Sequence, residues 1–303
     1  MVEGQRTARN AAIDDEVVRL GSGGVTPAMY TARMNSPAPL RMVVLGSGSS
    51  GNATVVTDGR TTLLIDCGFS ALEVSKRLAA AGIAAASVDA LLVTHEHGDH
   101  VRGIDVFCRR HAPDCLVLAT EGTVAKAGLS HTNHQTVKGG SACGIGTLTV
   151  VPFCTSHDAV EPVGYRVEGP LDSAGIATDT GVLTPQALEG MAGCHLIALE
   201  SNHDERMLDS GPYPWHLKRR IRSAHGHLSN NAAADAIEAL AHDGLQRVIA
   251  MHRSRTNNTK EMVAAVLEHR ISRLGLKVPV KVAAQDLSCD SDPPQQSLFG
   301  LGA

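Results

Sequence analysis

Residues 88–100 read VDALLVTHEHGDH, an apolar run that leads directly into a cluster of polar residues. The first seven letters have the apolar and β-branched composition of a buried strand. The residues of the cluster that can bind metal are His95, His97, Asp99 and His100. A lone histidine is more often a core or surface residue, but three histidines and an aspartate within six positions favour a metal site. In so short a loop, His95 and His97 can share one ion while Asp99 and His100 turn toward a second.

Histidine is also prominent in the composition, with 15 residues among 303, beside one Trp, three Tyr and four Phe. So few aromatic side chains argue against a protein that holds nucleobases or sugars on an aromatic platform. Apolar residues make up 43% and charged residues 19%, and the formal charge is −4, as in an ordinary globular protein. Histidine chemistry is therefore the best guide to function.

Cysteine usage and hydrophobicity indicate the compartment. The seven Cys are scattered, without a C-x-x-C pair, which favours reduced thiols over a disulfide framework. The first 20 residues are charged and lack the apolar stretch of a secretory signal. No apolar run reaches the roughly 18–20 residues of a membrane helix. We therefore expect a cytoplasmic protein with no membrane partner, and its oligomeric state is left open.

The order of predicted elements indicates the fold class. Strands are predicted at residues 41–45, 53–57, 62–67, 88–94, 115–119, 148–154, 162–168, 176–178, 195–200, 247–252 and 278–283. Helices are predicted at residues 70–82, 100–111, 184–192, 229–242 and 260–274. This order fits an α/β fold of layered sheets covered by helices, in one domain from 41 to 285. Residues 1–40 are predicted to form a flexible extension, and residues 286–303 a disordered tail.

Gly46, Gly48 and Gly51 match the G-x-G-x-x-G pattern of dinucleotide-binding loops. That pattern requires a helix directly after it, so that the pyrophosphate lies at the helix N-terminus. Here the next residues are NATVV, a β-branched run that favours a strand. We therefore expect a hairpin turn at the rim of a sheet rather than a nucleotide site.

The pattern H-x-H-x-D-H after an apolar strand resembles the signature of the metallo-β-lactamase superfamily. This resemblance implies an αβ/βα sandwich of four layers with metals bound at one edge. It also implies three further ligands, which follow in the expected order at predicted strand ends: His157 in SHDA, Asp179 in ATDTG and His252 in RVIAMH. His157 would complete the first metal site, His252 the second, and Asp179 would bridge both ions.

Longer stretches, among them LGSGSSGNA, LLIDCGFS, GIATDTG, GPYPWHLKRRI and GHLSNNAA, resemble the WalJ/YycJ branch of this superfamily over residues 41–285. The resemblance implies a dinuclear hydrolase of phosphodiester bonds, above all a 5′-to-3′ DNA exonuclease in DNA replication or repair. It implies two divalent ions, with zinc expected and manganese or iron also suited to these ligands. The alternative is a metal-dependent hydrolase of a small molecule, such as a thioester, a lactone or a cyclic phosphodiester.

The predicted catalytic residues are Asp99 and His227. His227 precedes the predicted helix at 229 and resembles an acid or outer-shell histidine of related phosphodiesterases, so we favour proton donation over metal binding. Asp66 ends a strand beside the ligand loop, where it either orients a ligand histidine or closes a turn. Four residues that follow strands either bind substrate or close turns: Asn202, His203, Asn257 and Asn258.

Basic residues bear on whether DNA is the partner. Phosphate binding depends on clustered cations more than on net charge. One cluster consists of Lys218, Arg219, Arg220 and Arg222, and a second of Arg247, Arg253, Arg255 and Lys260. Each cluster either binds phosphates or forms a solvated face. His131 and His134 resemble an accessory metal pair, but their polar loop favours surface positions, and His225 has no assigned role.

The predicted tail contains QQSLF, which resembles the peptide by which bacterial DNA-processing proteins bind the replicative sliding clamp. Leu298 and Phe299 would fill an apolar pocket of the clamp, and Gln295 would occupy a polar one. A tethered tail raises the effective concentration of an enzyme at its site of action. We therefore predict a sliding clamp as a second partner besides DNA.

Overall fold

Two seven-stranded sheets form the centre of the computed structural model, which describes residues 37–129 and 132–291. The first sheet contains β1 (Arg41–Gly46), β2 (Ala53–Thr57), β3 (Thr62–Ile65), β4 (Ala90–Leu92), β5 (Leu116–Ala119), β6 (His134–Thr136) and β14 (Cys289–Asp290). The second contains β7 (Cys143–Ile145), β8 (Leu148–Cys154), β9 (Val163–Glu168), β10 (Ser173–Ala177), β11 (Leu196–Glu200), β12 (Arg247–Met251) and β13 (Val280–Val282).

The two sheets share one plan. Their strand orders are β14-β1-β2-β3-β4-β5-β6 and β13-β12-β11-β10-β9-β8-β7. Each sheet has an antiparallel half and a half of four parallel strands, β3 to β6 in the first and β10 to β13 in the second. The carboxyl ends of parallel strands lie at one edge of a sheet, where α/β proteins place their ligands.

The described residues also form nine α-helices, several of which pack on the outer faces of the sheets. They are α1 (Ala71–Ala80), α2 (Gly98–Val101), α3 (Ile104–Arg110), α4 (Glu121–Ala127), α5 (Pro185–Met191), α6 (Glu205–Ser210), α7 (Trp215–Ile221), α8 (Asn230–Leu240) and α9 (Lys260–Arg273), with a 3-10 turn at Ala85–Ser87. The longest, α9, has 14 residues, and none of these described helices has the length and hydrophobicity of a membrane span.

Three apolar clusters separate four layers. Met42 and Val44 of β1 pack between the sheets, whereas Val43 and Leu45 pack under the helices of the first sheet, as strand alternation requires. Tyr165 of the second sheet crosses the central cluster and donates a hydrogen bond to the carbonyl oxygen of Val93 at 2.7 Å. A third cluster joins α8 and α9 to the second sheet. The predicted αβ/βα fold of four layers is confirmed.

The long helix predicted at 100–111 is wrong, because it is interrupted. Gly103 separates α2 from α3, and its amide donates to the carbonyl oxygen of Cys67 at 2.8 Å. A Cβ at Gly103 would lie 2.3 Å from the carbonyl oxygen of Phe69, so this close approach requires glycine. The break turns the ligand loop back onto the first sheet.

Ordered structure extends past both predicted domain boundaries. At one end, the amide of Leu40 donates to Asp172 Oδ1 at 2.8 Å, although residue 40 was assigned to the extension. At the other end, β14 pairs with β1, and Arg41 forms a salt bridge of 2.6 Å with Asp290, inside the predicted tail. Residues 1–36 and 292–303 lie outside the described residues, and so do Gln295, Leu298 and Phe299, for which clamp binding is predicted.

Candidate metal centre

The seven predicted metal ligands come together where strands of both sheets end. One group of potential ligands consists of His95, His97 and His157, and a second of Asp99, His100, Asp179 and His252. In each group one ligand atom per residue lies within 4.8 Å of every other. The residues follow β4, β8, β10 and β12, so neighbouring loops from the two sheets build one site.

Asp179 lies between the two groups. Its Oδ2 atom is 3.9 Å from His95 Nε2 and 3.7 Å from His157 Nε2, both in the first group. The same oxygen is 3.5 Å from His100 Nε2 in the second group, and Oδ1 is 3.1 Å from His252 Nδ1. One buried carboxylate thus faces ligands of both groups, which is the position of a bridging group.

Hydrogen bonds hold one nitrogen of several histidines and leave the other directed into the site. His95 Nδ1 lies 3.0 Å from Thr94 Oγ1, and His157 Nδ1 lies 3.1 Å from the carbonyl oxygen of Gly226. His97 has the opposite orientation, with Nδ1 facing His95 Nε2 at 3.1 Å. Metal-binding histidines are fixed in this way through the nitrogen that does not bind the ion.

The second group is held in the same way by two carboxylates. His100 Nδ1 lies 2.7 Å from Asp66 Oδ2, and His252 Nδ1 lies 2.9 Å from Glu200 Oε1. His252 Nε2 is buried and has no hydrogen-bond partner in the part of the chain that the structure describes. A buried, unpaired imidazole nitrogen beside carboxylates fits a divalent metal ion, and the residues present therefore suit the cofactor that the fold implies.

Backbone strain is concentrated at this site. Across the described ranges, 37–129 and 132–291, the only residues other than glycine with positive φ are Asp66 (60°), Asp179 (47°) and His252 (49°). Asp66 and His252 directly follow strands, Asp179 follows one after a single residue, and each turns its side chain toward the ligand groups. Such conformations are sparsely populated and persist where the surrounding structure fixes them, as at functional sites.

Buried carboxylates dominate the electrostatics. Burial raises the pKa of Asp179, but the His252 and His100 rings hold it well below its usual value. Burial also raises the pKa of Glu200, but the His227 and His252 rings together more than offset this and lower it to about 2. Burial lowers the pKa of His252, yet the Asp179, Asp99 and Glu200 carboxylates together raise it to about 10. Protons on imidazoles neutralise this buried negative charge in the absence of other cations, and divalent ions meet the same need.

Glu200, which the sequence analysis missed, connects the metal ligands to the predicted acid. Its Oε1 atom accepts from Nδ1 of His227 at 2.7 Å and of His252 at 2.9 Å. Its Oε2 atom accepts from the amide of Thr180 at 2.8 Å and of Leu228 at 3.3 Å. A glutamate at the end of the apolar strand LIALE was the available signal, since other site residues also follow strands.

His227 stands beside both ligand groups. Its ring centroid is 5.2 Å from that of His157 and 5.2 Å from that of His252. Burial lowers its pKa, but the Glu200 carboxylate more than offsets this, so the pKa is raised. His227 also belongs to a third group of potential ligands, with Asp179, Glu200 and His252. His227 contacts Glu200 through Nδ1, and its role as a proton donor stays a prediction.

The glycine-rich turn supports the ligands. β1 and β2 form the antiparallel hairpin that was predicted in place of a nucleotide site. The side chain of Asn52 forms hydrogen bonds with this turn. Its amide nitrogen Nδ2 lies 3.1 Å from His100 Nε2. Ser47 Oγ accepts from the amide of His252 at 2.8 Å. These two residues, Ser47 and Asn52, hold parts of the second group and were not identified from the sequence.

Two of the four predicted substrate-binding residues make hydrogen bonds within the loops of the site, and substrate contact stays a prediction for all four. Asn202 Nδ2 donates to the carbonyl oxygen of His252 at 2.8 Å, and Asn258 Nδ2 donates to that of Asn202 at 3.0 Å. Asn202 and Asn258 therefore support the loops, one of the two alternatives that the sequence leaves open. Asn257 is completely buried, and neither polar atom of its side chain has a hydrogen-bond partner among the described residues. His203 Nδ1 is likewise unpaired among these residues, and His203 lines a cavity beside His227.

The remaining predicted residues lie outside the ligand groups. His134 is in β6, where Nδ1 contacts the carbonyl oxygen of Thr132 at 3.1 Å, and His131 is outside the described residues. His225 Nδ1 lies 3.1 Å from Ser156 Oγ. In the second basic cluster, Arg255 pairs with Asp286 at 2.6 Å, so part of its charge is neutralised.

Comparison with known proteins agrees with this geometry. Residues 61–253 match the family described as the beta-lactamase superfamily domain. The chain belongs to this superfamily of metal-dependent hydrolases, in the branch that contains the following two relatives. It is 31% identical to exodeoxyribonuclease WalJ of Streptococcus pneumoniae over 256 residues, or 83% of this chain and 95% of the relative. It is 35% identical to exodeoxyribonuclease YycJ of Bacillus anthracis over 240 residues, or 76% and 90%.

Solved structures are similar in fold. The metallo-β-lactamase fold protein YhfI from Bacillus subtilis superposes with a TM-score of 0.64 at 15% identity, covering 83% of this chain and 99% of that chain. Human tRNase Z, short form, gives a TM-score of 0.58 at 15% identity, covering 82% and 98%. At these identities the likeness concerns the arrangement of sheets and helices alone.

Proposed function

We propose that the chain is a metal-dependent exonuclease that hydrolyses phosphodiester bonds of DNA in the 5′-to-3′ direction, during DNA replication or repair. The exodeoxyribonuclease activity for which the WalJ and YycJ relatives are named supports DNA as the substrate. The observation that carries the proposal is the His227–Glu200 pair beside two ligand groups that share Asp179. This arrangement has the parts that an in-line displacement at phosphorus needs.

The ligand residues divide between two ions, which we propose to be zinc. His95, His97 and His157 would hold one ion and Asp99, His100 and His252 the other, with Asp179 shared. When bound, such ions supply Lewis-acid activation of a phosphate oxygen and of water. Asp99 would also act as a catalytic group, because its carboxylate is 21% exposed at the rim and can accept a hydrogen bond from the attacking water.

His227 would supply the proton that the leaving oxygen needs. Glu200 holds its Nδ1 proton, which leaves Nε2 to donate to the alkoxide as the phosphorus–oxygen bond breaks. The side chain of His227 is 18% exposed, whereas that of Glu200 is fully buried, so the acid can reach substrate and its partner is shielded from water. The proton moves from His227 to the leaving group, and solvent restores it.

The experiment compares two substrates in one variant. His227→Ala should slow hydrolysis of end-labelled DNA about 100-fold or more, because an alkoxide leaves poorly without a proton. The same variant should hydrolyse bis(p-nitrophenyl) phosphate at nearly the wild-type rate, because nitrophenolate needs no acid. Chelator should abolish both activities in the wild type. Phosphodiester hydrolysis that survives in His95→Ala would contradict the proposal.

A second candidate is hydrolysis of a small molecule, which the size of the neighbouring cavity favours. This cavity has a volume of about 320 Å³ and is lined by His203 and His227 among others. That volume lies at the lower end of small-molecule pockets. Turnover of a lactone, a thioester or a cyclic phosphodiester, with no cleavage or binding of DNA at low salt, would favour this candidate over the first.

The clamp interaction remains a prediction from the sequence, as does the cytoplasmic location. A synthetic peptide that contains Gln295, Leu298 and Phe299 should bind a purified bacterial sliding clamp, and its Leu298→Ala, Phe299→Ala counterpart should not. The absence of binding by the first peptide would remove the clamp from the proposed partners and leave the nuclease proposal unchanged.

A further inference from the structure

The single tryptophan of the chain lies on the surface, at the first position of α7. Trp215 is 69% exposed. Arg219, one helical turn further on, places its guanidinium carbon 4.6 Å from the centroid of the ring. A cation over one face of an aromatic ring is attracted to it and restrains its orientation. A large, restrained ring in contact with water is therefore available to a partner from outside.

Cations surround this ring. The eight residues that begin with Trp215 read WHLKRRIR and include four basic residues and no acidic one. Arg220 and Arg222 form salt bridges with carboxylates. Neither Lys218 nor Arg219 has a carboxylate partner among the residues that the structure describes, and Lys218 donates instead to a backbone carbonyl oxygen at 2.7 Å. Trp215, Lys218 and Arg219 therefore form a basic patch, which keeps a local positive charge on a chain whose net charge is −4.

The patch continues toward the metal centre. A surface cavity of about 590 Å³ is lined by Trp215 and Arg219, and the cavity of about 320 Å³ beside the ligand groups is lined by His227. Asp209 and Arg222 line both cavities. A linear polymer bound at Trp215 can therefore extend through the two adjacent cavities to the predicted proton donor, His227.

We propose that Trp215 stacks on an unpaired base of a single DNA strand while Lys218 and Arg219 bind its phosphates. This inference rests on the proposed DNA substrate and names the form in which the substrate is held. Base stacking on an aromatic ring tolerates any sequence, as an exonuclease requires, and basic side chains follow the backbone. The low aromatic content argues against holding nucleobases on an aromatic platform, and this inference departs from that expectation, because one exposed ring is enough to stack one base.

The direct test uses the fluorescence of Trp215, because the chain has no other tryptophan. The metal-loaded protein is titrated with a single-stranded phosphorothioate oligonucleotide, which resists hydrolysis, and with an abasic oligonucleotide of the same length. We expect the oligonucleotide with bases to quench the emission of Trp215 at saturation. The abasic one should bind through its phosphates with little quenching. Unchanged emission at saturating concentrations of the first would overturn the proposal.

Variants separate stacking from charge. Trp215→Ala should weaken binding of the base-containing oligonucleotide roughly 10-fold, and Trp215→Phe should retain most of the affinity. Neither should alter binding of the abasic oligonucleotide. Arg219→Ala should weaken binding of both, with a loss that shrinks as salt is raised. Leu287→Ala, at a leucine that is 73% exposed, is the matched control and should leave all affinities unchanged.

The outcomes distinguish this inference from the function on which it rests. If the wild type hydrolyses DNA, but Trp215→Ala binds and degrades single strands as the wild type does, the inference alone is wrong. If the wild type hydrolyses neither DNA nor bis(p-nitrophenyl) phosphate, the proposed function is wrong as well. Because Trp215 is exposed, the alanine variant should keep the circular dichroism spectrum of the wild type, and the fluorescence titration of the wild type tests the proposal independently of any variant.

Discussion

The two halves of the molecule build the metal centre in different ways. The first sheet contributes four ligands from one short loop, His95 to His100, at the end of a single strand. The second sheet contributes His157, Asp179 and His252 from three separate strand ends. The first half therefore supplies ligands through local sequence, and the second supplies them through the pairing of distant strands.

Strand register explains how the second sheet brings its separate ligands together. β10, β11 and β12 are adjacent and parallel, with Ala177 opposite Leu199 and Glu200 opposite Met251. This register brings Asp179, Glu200 and His252 to the same edge of the sheet. A shift of register by one residue would turn each side chain to the other face, so the buried sheet fixes the ligand geometry.

The largest effect is expected where the two halves meet, at Asp179. Asp179→Asn removes the charge that faces ligands of both groups, so metal content should fall from two ions per chain to at most one. Hydrolysis of DNA should fall about 1000-fold, which corresponds to several kcal/mol of lost charge stabilisation. Elemental analysis and a kinetic assay measure the two effects. Asp114→Asn, at an exposed aspartate, is the control, and two ions with full activity in Asp179→Asn would refute the bridging position.

A substitution at Glu200 tests the ligands of the second sheet alone, and the expected loss of activity is smaller than at Asp179. Glu200→Gln should lower kcat about 100-fold, because both His227 and His252 lose the carboxylate that orients them. Since Glu200 raises the pKa of His227, its removal lowers that pKa, and the protonated acid is lost at lower pH. The alkaline limb of the pH profile on DNA should therefore move to lower pH.

A pH profile of kcat/KM measures this shift, with Glu238→Gln as the control at a surface carboxylate of the same half. An alkaline limb that stays in place in Glu200→Gln, with the rate reduced, would show that His227 is not the group that titrates. Glu200 would then act through His252 and metal binding only.

The same division explains what the sequence could predict. The ligand loop is formed by consecutive residues, so its four ligands and the strand before it can be predicted directly from the sequence. The β-branched runs likewise indicate most of the long strands. Glu200 was missed because its role depends on β11 lying between β10 and β12, which no local pattern encodes. The edge strands β6, β7 and β14 have two or three residues, too few to show an alternation of period two.

The asparagines of the site and α7 show a different reason why features of the structure could not be predicted from the sequence. Asn202 and Asn258 follow strands at the site edge, and only long-range hydrogen bonds distinguish loop support from substrate contact. α7 has only seven residues, three of them basic, so it is too short to show the apolar period of an amphipathic helix. The exposed ring of Trp215 was therefore not visible as a surface feature until the helix was placed.

A smaller effect is expected at Asp66, the first sheet's counterpart of Glu200. Asp66 holds His100 Nδ1 at 2.7 Å and accepts from the amide of Thr94 at 2.9 Å. Asp66→Asn should weaken binding of the second ion about 10-fold, because its ligand His100 contacts Asp66 directly. The effect on the first ion should be smaller, because His95 is reached only through Thr94. Metal titration against a competing chelator measures both affinities. Asp58→Asn alters another buried carboxylate of this sheet, and an equal loss of metal affinity there would mean that Asp66 acts through general stability.

The smallest effect is expected at Ser70, which belongs to the local part of the first half but touches no ligand. Ser70 caps α1, and its Oγ accepts from the amide of Glu73 at 3.3 Å. Ser70→Ala should lower the free energy of unfolding by about 0.5–1 kcal/mol and leave metal content and activity unchanged. Chemical denaturation measures the loss, with Ser272→Ala inside α9 as the control that should show none. A loss of metal in Ser70→Ala would mean that the cap of α1 and the ligand loop are energetically coupled through the first sheet, and that local sequence alone does not fix the ligands of this half.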